Sequence, residues 1–259
     1  MTNNQSVRAG ICRAVCDALK PLPSVLAGWE GGSVAFGAVD DYSDIDLTFI
    51  VSDEVAYEVL YASAENALAT ISPIAVRHDV PPGRYYKLQD VGEFLLVDVC
   101  FFRVGALDHH LEIERHGHIL PLFDKGEWLR PRPLDTEALT SKRVERLREL
   151  QTWFLVSQSF VKKAILRGQH VEAVNAFWAY TLKPLAELLR MRYCPARWDF
   201  GMRYLDRDLP PALYDQVRDL AFTSDLADLE RKFSEAAAWG AALLWEVKSD
   251  PNARTTERK

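Results

Sequence analysis

The sequence has few cysteines, no long apolar run and no excess of positive charge, and each of these features excludes a class of protein. Four cysteines among 259 residues are too few and too scattered for a disulfide scaffold. No apolar run approaches the roughly 20 residues that span a bilayer, and the polar amino-terminal stretch is unlike a secretory signal. With 31 Lys and Arg against 37 Asp and Glu, the net charge is −6. This charge argues against a protein that binds the nucleic-acid backbone through an overall positive charge. We therefore expect a cytoplasmic protein that uses neither a membrane nor a nucleic-acid template.

The composition is that of a globular protein, and the pattern of the chain changes near residues 131–133. Hydrophobic residues make up 48% of the sequence and charged residues 26%, which is enough to bury a core without disulfides or structural metals. Short β-prone runs precede this point, and long helical patterns follow it. We predict an α+β fold with a small mixed sheet in residues 1–130, a helical bundle in residues 134–249 and a frayed tail in residues 250–259.

The first part of the chain alternates helix and strand signals. Apolar spacing predicts two helices, Val7–Leu19 and Glu54–Ile71. Five runs are predicted strands: Val25–Trp29, Asp46–Val51, Ile74–Arg77, Tyr85–Gln89 and Phe94–Phe102. The last run, FLLVDVCFF, is nearly all apolar, so we expect a strand that is buried on both faces.

The second part of the chain carries four helical patterns. The predicted helices are Thr136–Leu166 (one helix or a broken pair), Val171–Tyr193, Pro210–Phe222 and Asp225–Val247. Gly168 supplies a stop after the first, Pro184 is expected to kink the second, and Asp225 is the predicted N-cap of the last.

The segment between the first two predicted strands, GSVAFGAVDDYSDID (residues 32–46), carries the chemical signal. Gly32 and Ser33 form a turn that offers backbone N–H groups and a hydroxyl to terminal phosphates. Side chains alternate along a strand, so Asp44 and Asp46 point the same way while their neighbours face the core. Two adjacent carboxylates repel each other unless a cation lies between them, and hard carboxylate oxygens suit Mg²⁺.

A third carboxylate, Asp98, lies in the middle of FLLVDVCFF. A carboxylate in an apolar run is costly to bury unless it is paired or binds a metal. If this strand lies beside Asp46–Val51, Asp98 faces the same cation site. Three carboxylates there would hold one or two Mg²⁺ ions, clamp a triphosphate and activate a hydroxyl for in-line displacement.

These residues resemble the signature of the nucleotidyltransferase superfamily of DNA polymerase β type, which is Gly-Ser, a short spacer, Asp-x-Asp and a third Asp on a later strand. Gly32-Ser33, Asp44-Ile45-Asp46 and Asp98 match it within residues 25–102. In length and in its helical second half, the chain resembles the antibiotic nucleotidyltransferases that modify aminoglycosides or lincosamides. The resemblance implies the three aspartates as metal ligands and catalytic residues, and the Gly-Ser turn as the triphosphate-binding element.

Other residues are weaker candidates. Lys183 of the helical half is expected to contact phosphate, because related enzymes often send a basic bundle residue into the cleft. His109, His110, His116 and His118 lack the spacing of a structural zinc site, which favours a solvated helix and loop. Cys12 and Cys16 share a helix face and are predicted to pack there.

Two further groups have both a structural and a functional interpretation. A predicted hairpin carries basic residues that either face a nucleotide or lie on the surface: Arg77, His78, Arg84 and Lys87. The bundle carries aromatic residues that either fill the core or line an acceptor pocket: Trp153, Phe154, Phe160, Phe177, Trp178 and Tyr180.

The sequence thus predicts a Mg²⁺-dependent nucleotidyltransferase that moves a nucleoside monophosphate to a hydroxyl of a small molecule and releases pyrophosphate. The resemblance favours AMP from ATP as the donor and an aminoglycoside-like or lincosamide-like antibiotic as the acceptor, and an acidic chain suits a cationic acceptor. Two alternatives stay open. One is an antitoxin-like enzyme that adenylylates a partner protein, and the other is a catalytically silent protein that keeps the nucleotide-binding fold.

Overall fold

The computed structural model describes residues 3–106 and 111–249, so the predicted tail at 250–259 and the histidines at 109 and 110 lie outside the described residues. The chain divides into two compact units, one ending at Leu134 and the other beginning at Asp135. The first unit contains a mixed sheet with helices, and the described residues of the second are helical or irregular. The α+β fold class predicted from the sequence is confirmed.

The first unit is built on a six-stranded sheet with the strand order β3-β4-β5-β2-β1-β6. The strands are β1 (Val25–Glu30), β2 (Ile45–Val51), β3 (Ile74–Val80), β4 (Gly83–Leu88), β5 (Leu96–Arg103) and β6 (Leu120–Asp124). β2 and β5 are parallel, and the other neighbouring pairs are antiparallel. The sequence reasoning missed β6, because this edge strand is mostly exposed and therefore shows no apolar alternation.

Two helices, α1 (Asn3–Leu19) and α2 (Tyr57–Ile71), pack against one face of this sheet, and a short helix, α3 (Ile113–His116), precedes β6. Ile11, Val15 and Leu19 recur every four residues along α1 and are fully buried. This spacing places them on one side of the helix, where they share a core with the inward side chains of β2 and β5.

β5 alternates between two environments, so the expectation of a strand buried on both faces is wrong. Val97, Val99 and Phe101 are fully buried on the face that α1 and α2 cover, whereas Asp98 and Cys100 on the other face are partly exposed. Phe94 belongs to the preceding loop and is 57% exposed. The apolar run FLLVDVCFF therefore combines loop residues with a strand that is fully buried on one face and partly exposed on the other.

The described part of the second unit contains six helices around its own apolar core. They are α4 (Thr136–Leu166), α5 (His170–Phe177), α6 (Lys183–Tyr193), α7 (Leu205–Asp208), α8 (Pro211–Ala221) and α9 (Leu226–Ser249). α4 is a single helix whose N-cap, Asp135, accepts a hydrogen bond from the Ala138 N–H at 2.9 Å. Asp225 caps α9 as predicted, since its carboxylate accepts from the Asp228 N–H at 2.9 Å. Within residues 3–106 and 111–249, no helix is long and apolar enough to cross a membrane.

The irregularity expected at Pro184 takes the form of a π-helical segment, Trp178–Leu182, between α5 and α6. Proline has no N–H, so Pro184 cannot donate to the carbonyl of Tyr180 four residues earlier. Gln158 of α4 donates to that carbonyl instead, at 2.9 Å, and its own amide oxygen accepts from the Thr181 hydroxyl at 2.7 Å. A side chain from another helix therefore compensates for the missing backbone donor.

Candidate active site

The parallel pairing of β2 and β5 sets two carboxylates side by side. Asp46 and Asp98 are register partners, so their side chains leave the sheet on the same face of neighbouring strands. Asp44 directly precedes β2, and the intervening Ile45 is fully buried. The alternation predicted from the sequence thus places the carboxylates on the sheet face that α1 and α2 do not cover.

The ionisation of Asp98 reflects this arrangement. Burial raises its pKa to about 6, and the negative charges of Asp46 and Asp44 act in the same direction, against hydrogen bonds from Cys100 and Tyr85 that lower it. The Cys100 thiol donates to Asp98 Oδ1 at 3.5 Å. Tyr85 is the register partner of Asp98 on β4, and the nearby Asp98 charge, with burial, raises the pKa of the Tyr85 hydroxyl. Asp98 therefore has neutral donors on one side and like charges on the other.

The turn that follows β1 has the backbone geometry of an anion site. Gly32 is left-handed, with φ +58°, and Ser33 is right-handed, with φ −60° and ψ −31°. This alternation makes successive N–H groups converge on one side of the chain. The Ser33 hydroxyl is buried and has no hydrogen-bond partner among the described residues. An unpartnered hydroxyl beside such a turn fits a phosphate oxygen.

Two glycines make room for the carboxylates. A Cβ on Gly32 would overlap Asp46 Oδ2 and lie 2.6 Å from its Cγ. A Cβ on Gly83 would overlap the Cys100 sulfur and lie 2.9 Å from Asp98 Oδ1. Side chains at these positions would displace the carboxylates, so the close approach requires glycine at both.

The donor chemistry of this face fits a hard divalent cation. Asp46 and Asp98 adjoin across the strand pair, and their oxygens are the ligands that Mg²⁺ prefers. As the side chains stand in the described residues, no group of three or more His, Cys, Asp or Glu is gathered closely enough to hold a metal ion. The backbone thus brings two candidate ligands together, with Asp44 adjacent, and metal binding stays a prediction.

The other residues singled out from the sequence have varied positions. Lys183 is exposed at the first position of α6 in the helical unit, and its contact with phosphate stays a prediction. His116 and His118 belong to no metal-binding group among the described side chains. Cys12 is buried in the core between α1 and the sheet, as expected for a packing residue.

Arg84 neither faces the carboxylate side of the sheet nor lies on the surface, so both interpretations offered for it are wrong. Its side chain is 9% exposed on the helix-covered face, where it pairs with Glu58 at 2.5 Å, Asp79 at 2.5 Å and Glu65 at 3.4 Å. Its guanidinium also lies 3.9 Å from the centre of the Tyr61 ring. Arg84 therefore ties β4 to α2 and contributes to the fold.

Sequence reasoning missed Tyr85 and Cys100, the two neutral donors to Asp98. The two-residue spacing of Cys100 from Asp98 would have identified it, because residues two apart share a strand face. Tyr85 gives no such local signal, since its contact depends on the register between β4 and β5. Tyr85 is 37% exposed, which leaves it accessible on the carboxylate face.

The similarity of this chain to known proteins is limited to solved structures. No protein-family model and no curated protein sequence matches the chain. The chain is similar to the structure of an aminoglycoside 6-adenyltransferase from Bacillus subtilis, at 9% identity and a TM-score of 0.36, over 99% of this chain and 94% of that one. It is also similar to a spectinomycin adenyltransferase from Enterococcus faecialis with ATP and spectinomycin, at 9% identity and a TM-score of 0.37, over 95% and 98%.

A third similar structure is a STING-associated c-di-GMP synthase from Capnocytophaga granulosa, at 16% identity and a TM-score of 0.32, over 95% of this chain and 82% of that one. At these identities and TM-scores, the function of this chain has to be inferred from its own residues.

Proposed function

We propose that the chain is a Mg²⁺-dependent nucleotidyltransferase that transfers AMP from ATP to a hydroxyl of a small molecule. The observation that carries this proposal is the parallel register of β2 and β5, which sets Asp46 beside Asp98 with Asp44 two residues away. Same-sign charges at this spacing oppose one another, and a divalent cation between them removes that cost. The Gly32–Ser33 turn adds phosphate-binding geometry next to the same carboxylates.

In this proposal, one group of residues binds the metal and another binds the triphosphate. Asp44, Asp46 and Asp98 would hold Mg²⁺, which when bound neutralises the charge that develops on the triphosphate and on the departing pyrophosphate. The N–H groups of the Gly32–Ser33 turn and the Ser33 hydroxyl would bind the terminal phosphates. Lys183 is proposed as a further phosphate contact.

The reaction is an in-line displacement at the α-phosphorus. The acceptor oxygen forms a bond to that phosphorus, the bond to the bridging oxygen breaks, and pyrophosphate leaves. Asp98 is also proposed to help accept the hydroxyl proton, because its carboxylate lies on the same face as Asp46, beside the proposed metal site. Catalysis in this scheme comes from positioning and electrostatics.

The acceptor is proposed to be a cationic, hydroxyl-bearing antibiotic of the aminoglycoside or lincosamide kind. The net charge of −6 favours a cationic small molecule near an acidic site over a nucleic-acid template. This assignment rests on charge and on the sequence resemblance, and it makes resistance to such an antibiotic the expected phenotype.

Pyrophosphate release tests the proposal, with each of the four NTPs offered against aminoglycosides, lincosamides and candidate proteins. We expect Mg²⁺-dependent release with ATP and one small-molecule class, and none from Asp46→Asn. Release only with a protein acceptor would instead identify a protein adenylyltransferase. Binding of Mg·ATP without release to any acceptor would identify a silent nucleotide-binding protein.

A further inference from the structure

A buried arginine on α1, Arg8, contacts both segments that form the candidate site. Its side chain is 8% exposed, and one guanidinium reaches three acceptors. It donates to the carbonyl oxygen of Ser43, to the carbonyl oxygen of Asp44 at 2.9 Å and to Glu30 Oε1 at 3.0 Å. The sequence reasoning assigned this part of the chain only to an amphipathic helix.

The first two acceptors fix the backbone that carries Asp44. Ser43 and Asp44 are the last two residues before β2, and the hydrogen bonds between Asp40 and Ser43 stay within the loop. The Arg8 contacts instead tie the end of this loop to a helix 35 residues earlier in the chain. The orientation of the Asp44 carboxylate follows from the position of this backbone.

The third acceptor lies on the strand that leads into the phosphate-binding turn. Glu30 is the last residue of β1, and Gly31 donates from its N–H to the Asp46 carbonyl at 2.9 Å. Glu30 is also 8% exposed and accepts from the Cys12 thiol at 3.6 Å. One planar guanidinium therefore sets the distance between the Asp44 loop and the Gly32–Ser33 turn.

We propose that Arg8, held by Glu30, is a positioning residue that fixes the Asp44 backbone and the phosphate-binding turn in the arrangement that metal and triphosphate require. This inference rests on the proposed function. Replacing a buried ion pair by apolar packing is often neutral for stability, so the presence of this pair is not by itself explained by a contribution to folding. Partners that orient metal ligands typically change metal affinity by about 10- to 100-fold when they are mutated.

Arg8→Lys is the test variant, because lysine keeps the charge but cannot present a fork of donors to three acceptors. Two readouts are compared with wild type: Mn²⁺ binding without nucleotide, measured from the free-ion paramagnetic signal, and amide hydrogen exchange without metal. We expect the Mn²⁺ dissociation constant to rise about tenfold. We expect faster exchange in residues 31–34 and 40–46, with α2 amides unchanged.

Arg13→Lys is the matched control, because Arg13 is an exposed arginine of the same helix, and it should change neither readout.

The outcomes separate this inference from the proposed function. Wild-type Mn²⁺ affinity in Arg8→Lys would overturn the positioning role, whatever happens to exchange. If the wild-type protein itself binds no Mn²⁺, the metal site of the proposed function fails, and unchanged exchange in Arg8→Lys would then overturn the ordering of the loop by Arg8. Should Arg8→Lys not fold, Glu30→Gln keeps the shape and an acceptor while weakening the hold on Arg8. It should shift both readouts in the same direction by a smaller factor, and no shift would overturn the inference.

Discussion

Two clusters of charged side chains, one in each unit, differ in how their charges are balanced. In the helical unit, Arg190 has no exposed surface and donates to Asp208 and to the carbonyl oxygens of Gly201, Arg197 and Arg203. Asp208 is 1% exposed at its side chain and also accepts from Arg197. The buried guanidinium thus has a carboxylate partner and several backbone acceptors, all supplied by the chain itself.

In the sheet unit, the acidic cluster of Asp44, Asp46 and Asp98 has the opposite character. The charges that raise the pKa of Asp98 are those of its own neighbours, and its direct donors, Cys100 and Tyr85, are neutral. A charge cluster that serves folding is balanced by the chain, as around Arg190. A cluster that gathers like charges on an accessible face is better explained by a ligand of opposite charge.

The largest effect is expected from Asp46→Asn, which tests whether the acidic cluster serves activity and not folding. We expect the transfer rate to fall at least about a thousandfold, because the proposed metal site would lose one of its charged ligands. The free energy of unfolding should stay the same or rise, since repulsion with Asp98 decreases. Pyrophosphate release and urea denaturation measure the two quantities. Turnover at the wild-type rate in the presence of Mg²⁺ would contradict the assignment.

Removing a carboxylate from the cluster around Arg190 should lower the stability of the fold, unlike removing one from the acidic cluster. Asp208→Asn leaves the fully buried Arg190 without its carboxylate, so we expect the free energy of unfolding to fall by about 3–5 kcal/mol. Asp206→Asn, on the same short helix with a side chain that is 54% exposed, is the control and should change it by less than about 0.5 kcal/mol. Urea denaturation followed by circular dichroism checks both, and equal effects would remove the distinction between the clusters.

The local pattern of the sequence predicted most of the secondary structure and two of the three aspartates of the acidic cluster. Alternation alone indicated that Asp46 leaves β2 on the face opposite Leu47, because strand geometry has a fixed period of two. The sequence placed Asp98 beside Asp46 only on the condition that their two strands are neighbours. No local pattern specifies that β5 lies beside β2. The observed parallel pairing supplies that missing step.

Long-range contacts account for what the sequence reasoning missed. Tyr85 reaches Asp98 through the register of β4 against β5, and Arg8 reaches Ser43 across 35 residues. Arg84 is of a residue type that usually lies on the surface or binds a ligand, yet it is buried and pairs with two carboxylates of α2 and one of β3. Such positions depend on tertiary packing, which local propensity does not encode.

Comparing Gly32→Ala with Gly37→Ala tests whether close approach of the turn to Asp46 matters for activity. Gly32 and Gly37 both have positive φ, at +58° and +62°, so alanine strains the backbone at each by about 1–2 kcal/mol. Only at Gly32 would the new Cβ also overlap the Asp46 carboxylate, whereas nothing lies within 4 Å of a Cβ at Gly37. We expect similar losses of stability but a roughly hundredfold larger loss of transfer for Gly32→Ala. Equal rates in the two variants would show that close approach to Asp46 is unimportant.

The smallest expected effect is the pH dependence that the acidic cluster adds to stability. Burial, together with the charges of Asp46 and Asp44, raises the pKa of Asp98 from an ordinary 3.8 to about 6 in the folded protein. The folded state therefore binds this proton more tightly than the unfolded state, so stability decreases as pH rises from about 4 to about 6. Above pH 6 the full cost of the ionised carboxylate is present.

Asp98→Asn removes that ionisation while nearly keeping the shape of the side chain. Without metal, the variant should be more stable than wild type at pH 8, by on the order of 1 kcal/mol because partial exposure screens the charge. The difference should disappear near pH 4, where Asp98 is protonated in wild type. Urea denaturation of both proteins at pH 4, 6 and 8 in the presence of a chelator measures it. A variant that is less stable at every pH would instead identify Asp98 as a structural hydrogen-bonding residue, which would move the acidic cluster to the same category as the cluster around Arg190.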